Sequence, residues 1–99
     1  MLVAFSVSPA AADPSGSVSA AVADAVRIVR ESGLPNETNA MFTNIEGEWD
    51  EVMAVVKRAV DAVVAHSSRV SLVLKADIRT GHDRQLTTKV AKVEELLGD

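Results

Sequence analysis

The chain has 99 residues, enough for one domain over residues 1–99 and too few for two. Its formal net charge of −4, from ten basic against fourteen acidic residues, argues against nucleic acid or an anionic membrane as partner, because both select clustered Lys and Arg. The absence of cysteine excludes disulfides, zinc knuckles and thiol chemistry and fits a cytoplasmic location.

Leu2 to Ala12 is apolar and ends in small residues, as a secretion signal does, but no basic residue precedes it and Ser6, Ser8 and Pro9 interrupt it. Val3, Phe5 and Val7 alternate with Ala4, Ser6 and Ser8, which predicts a strand with one buried face. Pro9 to Gly16 reads as loop, and Ser17 stands where an N-cap is wanted. Val18, Val22, Ala25, Val26 and Val29 recur every three or four residues and predict a helix over about 18–32, ended by Gly33 and Pro35. Glu37 to Glu46 reads as two short strands folding back near Ala40–Met41, with Met41, Thr43 and Ile45 on one face and Phe42, Asn44 and Glu46 on the other.

After Gly47 a second helix is expected over about 48–66, with Trp49, Val52, Met53, Val56, Ala59, Val60 and Val63 as its apolar stripe. Glu48, Asp50 and Glu51 crowd its first turn, where carboxylates offset the helix dipole. Val70, Leu72, Leu74, Ala76 and Ile78 alternate with Ser71, Val73, Lys75, Asp77 and Arg79 in a further strand. A polar loop around Gly81 leads to a last helix over about 86–97, with Leu86, Val90, Val93 and Leu97 on one face. No apolar run approaches the ~20 residues of a membrane span. The order β-α-β-β-α-β-α predicts an α+β, ferredoxin-like βαββαβ antiparallel sheet, with helices on one face and an extra C-terminal helix.

Strand parity then turns Val3, Phe5, Val7, Val70, Leu72 and Leu74 toward the helices. The opposite face carries Ala4, Ser6, Ser8, Asn44, Glu46, Val73, Lys75, Asp77, Arg79 and Phe42. Such a face can pack on another subunit's sheet or floor a ligand pocket. No P-loop, dinucleotide fingerprint, zinc-protease motif or nucleophile elbow occurs. His66 and His82 fall at a helix end and in a loop, with no nucleophile spaced to use them. The acidic cluster beside Trp49 reads as helix-terminus chemistry, so neither a metal site nor a cofactor is expected.

Ile45-Glu46-Gly47-Glu48-Trp49-Asp50-Glu51-Val52 resembles the I-E-G-x-W-D-E-V signature of the thiamine-binding protein family. Leu2 to Pro9, Gly16-Ser17-Val18-Ser19, Glu31 to Leu34 and Leu74 to Arg79 extend the likeness over nearly the whole chain. The resemblance implies non-enzymatic binding of thiamine, or of its hydroxymethylpyrimidine half, near the seam between sheets of a homodimer or homotetramer. An aminopyrimidine needs donors and acceptors side by side, and the thiazolium is a permanent cation. On that basis Ser17, Asn39, Thr43, Glu46 and Asp77 are the expected polar contacts, Phe42 and Trp49 the stacking candidates, and Ser19 and Lys75 a second tier. Where relatives commonly carry T-P-M-G-T this chain has Asn39-Ala40-Met41-Phe42-Thr43, which sets a bulky ring in place of glycine. The alternative is a structural or regulatory oligomerisation module with no small-molecule ligand. A small enzyme using Glu46 or Asp77 as base is a third reading.

Overall fold

A computed structural model describes residues 1–10 and 18–98. The elements run β1 (Leu2–Pro9), α1 (Val18–Glu31), β2 (Asn36–Thr38), β3 (Thr43–Glu46), α2 (Trp49–Val64), β4 (Val70–Asp77) and α3 (Gln85–Leu97). The four strands form one antiparallel sheet in the order β2-β3-β1-β4, the arrangement of a ferredoxin-like domain. The expected fold and element order are therefore present, with boundaries moved by one or two residues; Ser17, the expected N-cap of α1, lies outside the described residues.

Parity along β1 organises the molecule. Val3, Phe5 and Val7 are buried, and they lie opposite Ala76, Leu74 and Leu72 of β4, while Val3 and Phe5 also face Ile45 and Thr43 of β3. Ala21, Ala25 and Val29 of α1, with Val52, Val55, Val56, Ala59 and Val63 of α2, close the core over this face. Phe5 is its one aromatic member among the described residues; apart from Ile45, Val and Ala fill the rest, and such small side chains suit close packing of helices on a sheet. Leu72 was expected in this layer but keeps 44% exposure, because β4 is an edge strand and its outer half runs past the helices.

The turns have local causes. Ser32 Oγ donates to the Val29 carbonyl at 2.6 Å and accepts from the Leu34 amide at 3.2 Å, while Gly33 takes φ +82° to end α1. At the other end of the helix pair, His66 Nε2 lies 2.8 Å from Asp24 Oδ2, tying the end of α2 to α1, and Arg27 holds the other Asp24 oxygen at 3.0 Å. The Asp24 carboxyl is pushed below its ordinary value chiefly by the His66 hydrogen bond, which with the help of Arg27 outweighs the opposing effect of burial.

Helix α3 stands apart from the packed layers. Val90, Val93, Leu96 and Leu97 are all more than half exposed. The radius of gyration of 15.0 Å exceeds the ~13 Å of a compact chain this long, as a projecting helix requires. Its first turn is anchored by Glu46, and Lys89 one turn on pairs with Asp77 of β4. Among the described residues no helix is long and apolar enough to cross a membrane.

Candidate functional site

The signature segment has a structural explanation residue by residue. Ile45 and Val52 are fully buried core. Glu46 is also buried; its Oε2 accepts from the Gln85 amide at 2.7 Å and its Oε1 from the Leu86 amide at 3.0 Å. The carboxylate thus closes the start of α3 in the position where the helix dipole favours a negative charge. Gly47 exchanges backbone hydrogen bonds with Met1, at 2.9 Å and 3.1 Å, and a Cβ on it would meet Val52 Cγ2 at 3.2 Å. Glu51 accepts from the Glu48 amide at 3.2 Å, the N-terminal closure of α2 that the acidic cluster suggested. Trp49 departs from its expected place in the α2 stripe: it heads the helix and is 56% exposed.

A concavity lies elsewhere, at the far end of β1. The ladder between β1 and β3 stops at Phe5↔Thr43, whereas β1 runs on beside β4 to Pro9. The β3-side edge of Ser6 to Ser8 is therefore not paired by that strand. Helix α1 passes over the gap with Val22, Ala25 and Val26, and the β2–β3 turn closes it with Asn39, Phe42 and Thr43, leaving a cavity of about 220 Å³. Asn39 builds this turn: its Oδ1 accepts from the Met41 and Phe42 amides at 2.9 and 2.8 Å, and its own amide donates to the Phe42 carbonyl at 2.9 Å. Thr38 and Thr43 hydroxyls lie 3.4 Å apart at the rim. Phe42 was expected on the open sheet face by parity from β3. It precedes that strand, belongs to the turn, and instead shares the cavity wall with Phe5, Val7 and Val22.

The open face forms a second concavity. Ala4, Asn44, Lys75 and Asp77 line a shallow groove there of about 390 Å³, as their parity predicts. Lys89 of α3 reaches down to form an ion pair with Asp77. That hydrogen bond and charge, with further help from Arg79 and Lys75, hold the Asp77 carboxyl below its ordinary value.

The expected site residues thus fall into separate groups. Asn39, Phe42 and Thr43 come together in the turn-side cavity, while Lys75 and Asp77 share the open-face groove. Glu46 is engaged in closing α3, Trp49 and Ser19 stand exposed, and Ser17 lies outside the described residues. Reasoning on strand parity missed the edge of Ser6 to Ser8 that β3 leaves unpaired, whose signal was the unequal length of β1 and the hairpin strands. It also missed Lys89, twelve residues beyond Asp77 on an element of different period. No group of three or more His, Asp or Glu is placed to hold a metal among the described residues.

These features define a ferredoxin-like domain with a small cavity walled by its β2–β3 turn. The chain belongs to the thiamine-binding protein family, which it matches over residues 3–94. It is 55% identical over 98 residues to the UPF0045 protein Mb1933 of Mycobacterium bovis, covering 98% of this chain and 94% of that one. Among solved structures, the hypothetical protein MJ1052 of Methanocaldococcus jannaschii superposes with a TM-score of 0.83 at 31% identity, covering 95% of both chains. A Thermotoga maritima protein assigned provisionally to thiamine biosynthesis or salvage superposes with a TM-score of 0.77 at 26% identity, covering 93% of this chain and 96% of that one.

Proposed function

We propose that this protein binds an aminopyrimidine, as free hydroxymethylpyrimidine or as the corresponding half of thiamine, in the cavity between the β2–β3 turn, β1 and α1. It performs no chemistry and serves in the cytoplasm as a carrier, buffer or sensor. The observation that supports the reading is the edge of Ser6 to Ser8 that β3 leaves unpaired, inside a cavity walled by Phe42. A strand edge offers N–H donors and C=O acceptors in alternation, the complement of a ring nitrogen beside an exocyclic amino group. The Asn39 side-chain amide and the Thr38 and Thr43 hydroxyls add polar groups at the rim, and the Phe42 ring supplies an apolar face. Family membership and the Thermotoga neighbour support the same ligand class.

Size favours the pyrimidine half. A cavity of about 220 Å³ falls below the ~300–1,000 Å³ usual for sites that enclose drug-sized ligands. Calorimetric titration of the full chain with hydroxymethylpyrimidine and with thiamine tests the reading. Saturable binding is expected with both, tighter for the smaller molecule, and Phe42→Gly should reverse that order by opening the wall. Absence of heat and of a thermal shift with both ligands at millimolar concentration rejects it.

The alternative of an oligomerisation module rests on two surfaces: the unpaired outer edge of β4, and the exposed apolar face of α3 formed by Val90, Val93 and Leu97. The two readings are compatible, since the cavity lies on the opposite edge of β1 from β4. A homodimer or homotetramer burying these surfaces is expected in sedimentation velocity, and a monomer at all concentrations rejects that assembly.

A further inference from the structure

Positive charge gathers at one place in this acidic chain. The loop after β4 turns at Gly81, with φ +81° and the His82 amide donating to the Arg79 carbonyl at 3.2 Å, and brings Arg79 and His82 against the first turns of α3. Between loop and helix lies a groove of about 670 Å³ whose walls include Arg79, His82, Gln85, Thr88, Lys89 and Lys92. Lys89 also borders the open-face groove that holds Lys75 and Asp77, so the two spaces adjoin. Four cations, Lys75, Arg79, Lys89 and Lys92, face two carboxylates, Asp77 and Asp83, which leaves a net +2 here and −6 on the rest of a chain whose total is −4. Asp77 is taken by Lys89, while Lys75, Arg79 and Lys92 form no ion pair among the described residues. Arg79 and Lys92 thus stand without an ion pair in the groove itself, and Lys75 does so in the space beside it.

We propose that this groove is a second binding site, which takes the phosphate monoester or diphosphate group of a small molecule, with Arg79, Lys89 and Lys92 as its charged contacts and Thr88 as a hydroxyl donor. A phosphate monoester carries a charge of about −1.5 to −2 near neutral pH, which matches the local excess. Guanidinium and ammonium groups are the side chains that bind such oxygens most strongly. The volume suits a small molecule. Nucleic acid fits poorly: the patch is local, the chain is acidic, and Phe5, Phe42 and Trp49, the aromatics on which bases would stack, all lie elsewhere. The site is also distinct from the turn-side cavity. Leu2 pairs with Asp77 at one end of β1 and Ser8 with Ser71 at the other, a separation of roughly 20 Å along the strand. One small molecule does not reach both within a chain, so the anion is a separate ligand, and the proposal stands independently of the aminopyrimidine.

Titration of the isotope-labelled full chain with sodium pyrophosphate at low ionic strength, followed by amide chemical shifts, tests this. Saturable shifts are expected at residues 79–83, 85, 88, 89 and 92, weakening as salt is added. The double variant Arg79→Glu, Lys92→Glu should lose about tenfold or more in affinity. Both side chains are exposed, and Arg79→Gln, Lys92→Gln provides a milder pair that should lose less. Absence of saturation at millimolar pyrophosphate, shifts spread equally over Arg27, Lys57 and Arg58, or unchanged affinity in both variants overturns the proposal. Tighter binding of a short oligodeoxynucleotide at the same amides overturns it in favour of nucleic acid. Hydroxymethylpyrimidine titrated into the double variant keeps the two sites separable, since its binding should be unaffected.

Discussion

Replacing Glu46 with alanine should release α3 while leaving the rest of the fold intact. The side chain is buried, with both oxygens occupied by the Gln85 and Leu86 amides at 2.7 and 3.0 Å. Hydrogen bonds to a charged group contribute about 1.5–3 kcal/mol each before allowance for rehydration of the freed groups. The Leu86 amide lies near the surface and regains water in the variant, so we expect a net loss of about 2–3 kcal/mol in the docking of α3. At 1.36 kcal/mol per decade this is roughly a 30- to 150-fold shift in the local opening equilibrium. Because the remainder of α3 is exposed, opening stays local and does not draw on the core. Native-state hydrogen exchange is the assay: amides within α3 should exchange faster by that factor, while those of Val29 and Val56 in the α1 and α2 core keep their protection. Glu46→Gln retains one acceptor and should fall between variant and wild type. If α3 exchanges in Glu46→Ala as it does in wild type, or if α1 and α2 lose protection with it, the carboxylate is not the anchor described here.

Gly47→Ala places a methyl 3.2 Å from Val52 Cγ2 and 3.4 Å from the Leu34 methyls, so thermal unfolding should show a loss of about 1–3 kcal/mol from overpacking. The tie between α1 and α2 should be sensitive to acid. The folded Asp24 carboxyl titrates below its ordinary 3.8, so its contribution is present above that value and is lost as pH falls through the lower folded value. Melting temperatures of wild type and Asp24→Asn should therefore differ at pH 6 and converge in acid; curves that remain parallel to the lowest pH would refute the pairing.

Much of this fold was legible because the two principal strands alternate cleanly. Val3, Phe5 and Val7 on one face, and Ala4, Ser6 and Ser8 on the other, fix register through a period of two, and β4 repeats the pattern with Leu72 and Leu74 against Val73 and Lys75. Periodicity assigns a face but not what lies opposite it. Trp49 shares a stripe with Val52 and Val56 yet heads α2 and is more than half exposed, and Val90 and Val93 share a stripe that is more than half exposed too. Phe42 was misplaced because alternation ends where a strand ends, and a turn residue obeys the turn. Glu46 was recognised as a polar group on the right face, but its partner is the backbone of a helix 39 residues later, and backbone amides carry no sequence signal. The charged groove was hidden for a related reason: Arg79 lies in a loop and Lys89 and Lys92 on a helix, so no single period relates them.

The placement of the family signature bears on how ligand preference can vary in this fold. Ile45, Gly47 and Val52 pack, Glu46 holds α3, and Glu51 closes the start of α2, so this segment preserves architecture and touches the turn-side cavity nowhere. The cavity takes part of its wall from Asn39 and Phe42, in the turn that precedes the signature. Only Asn44 separates the two stretches, and Thr43 both lines the cavity and begins β3. A change in the turn can therefore alter volume and polarity with little effect on core packing, whereas a change in the signature costs stability before it reaches any ligand. On this reasoning, substitutions in residues 45–52 should lower the melting temperature, while substitutions in residues 38–43 should change the cavity and leave the melting temperature nearly unchanged.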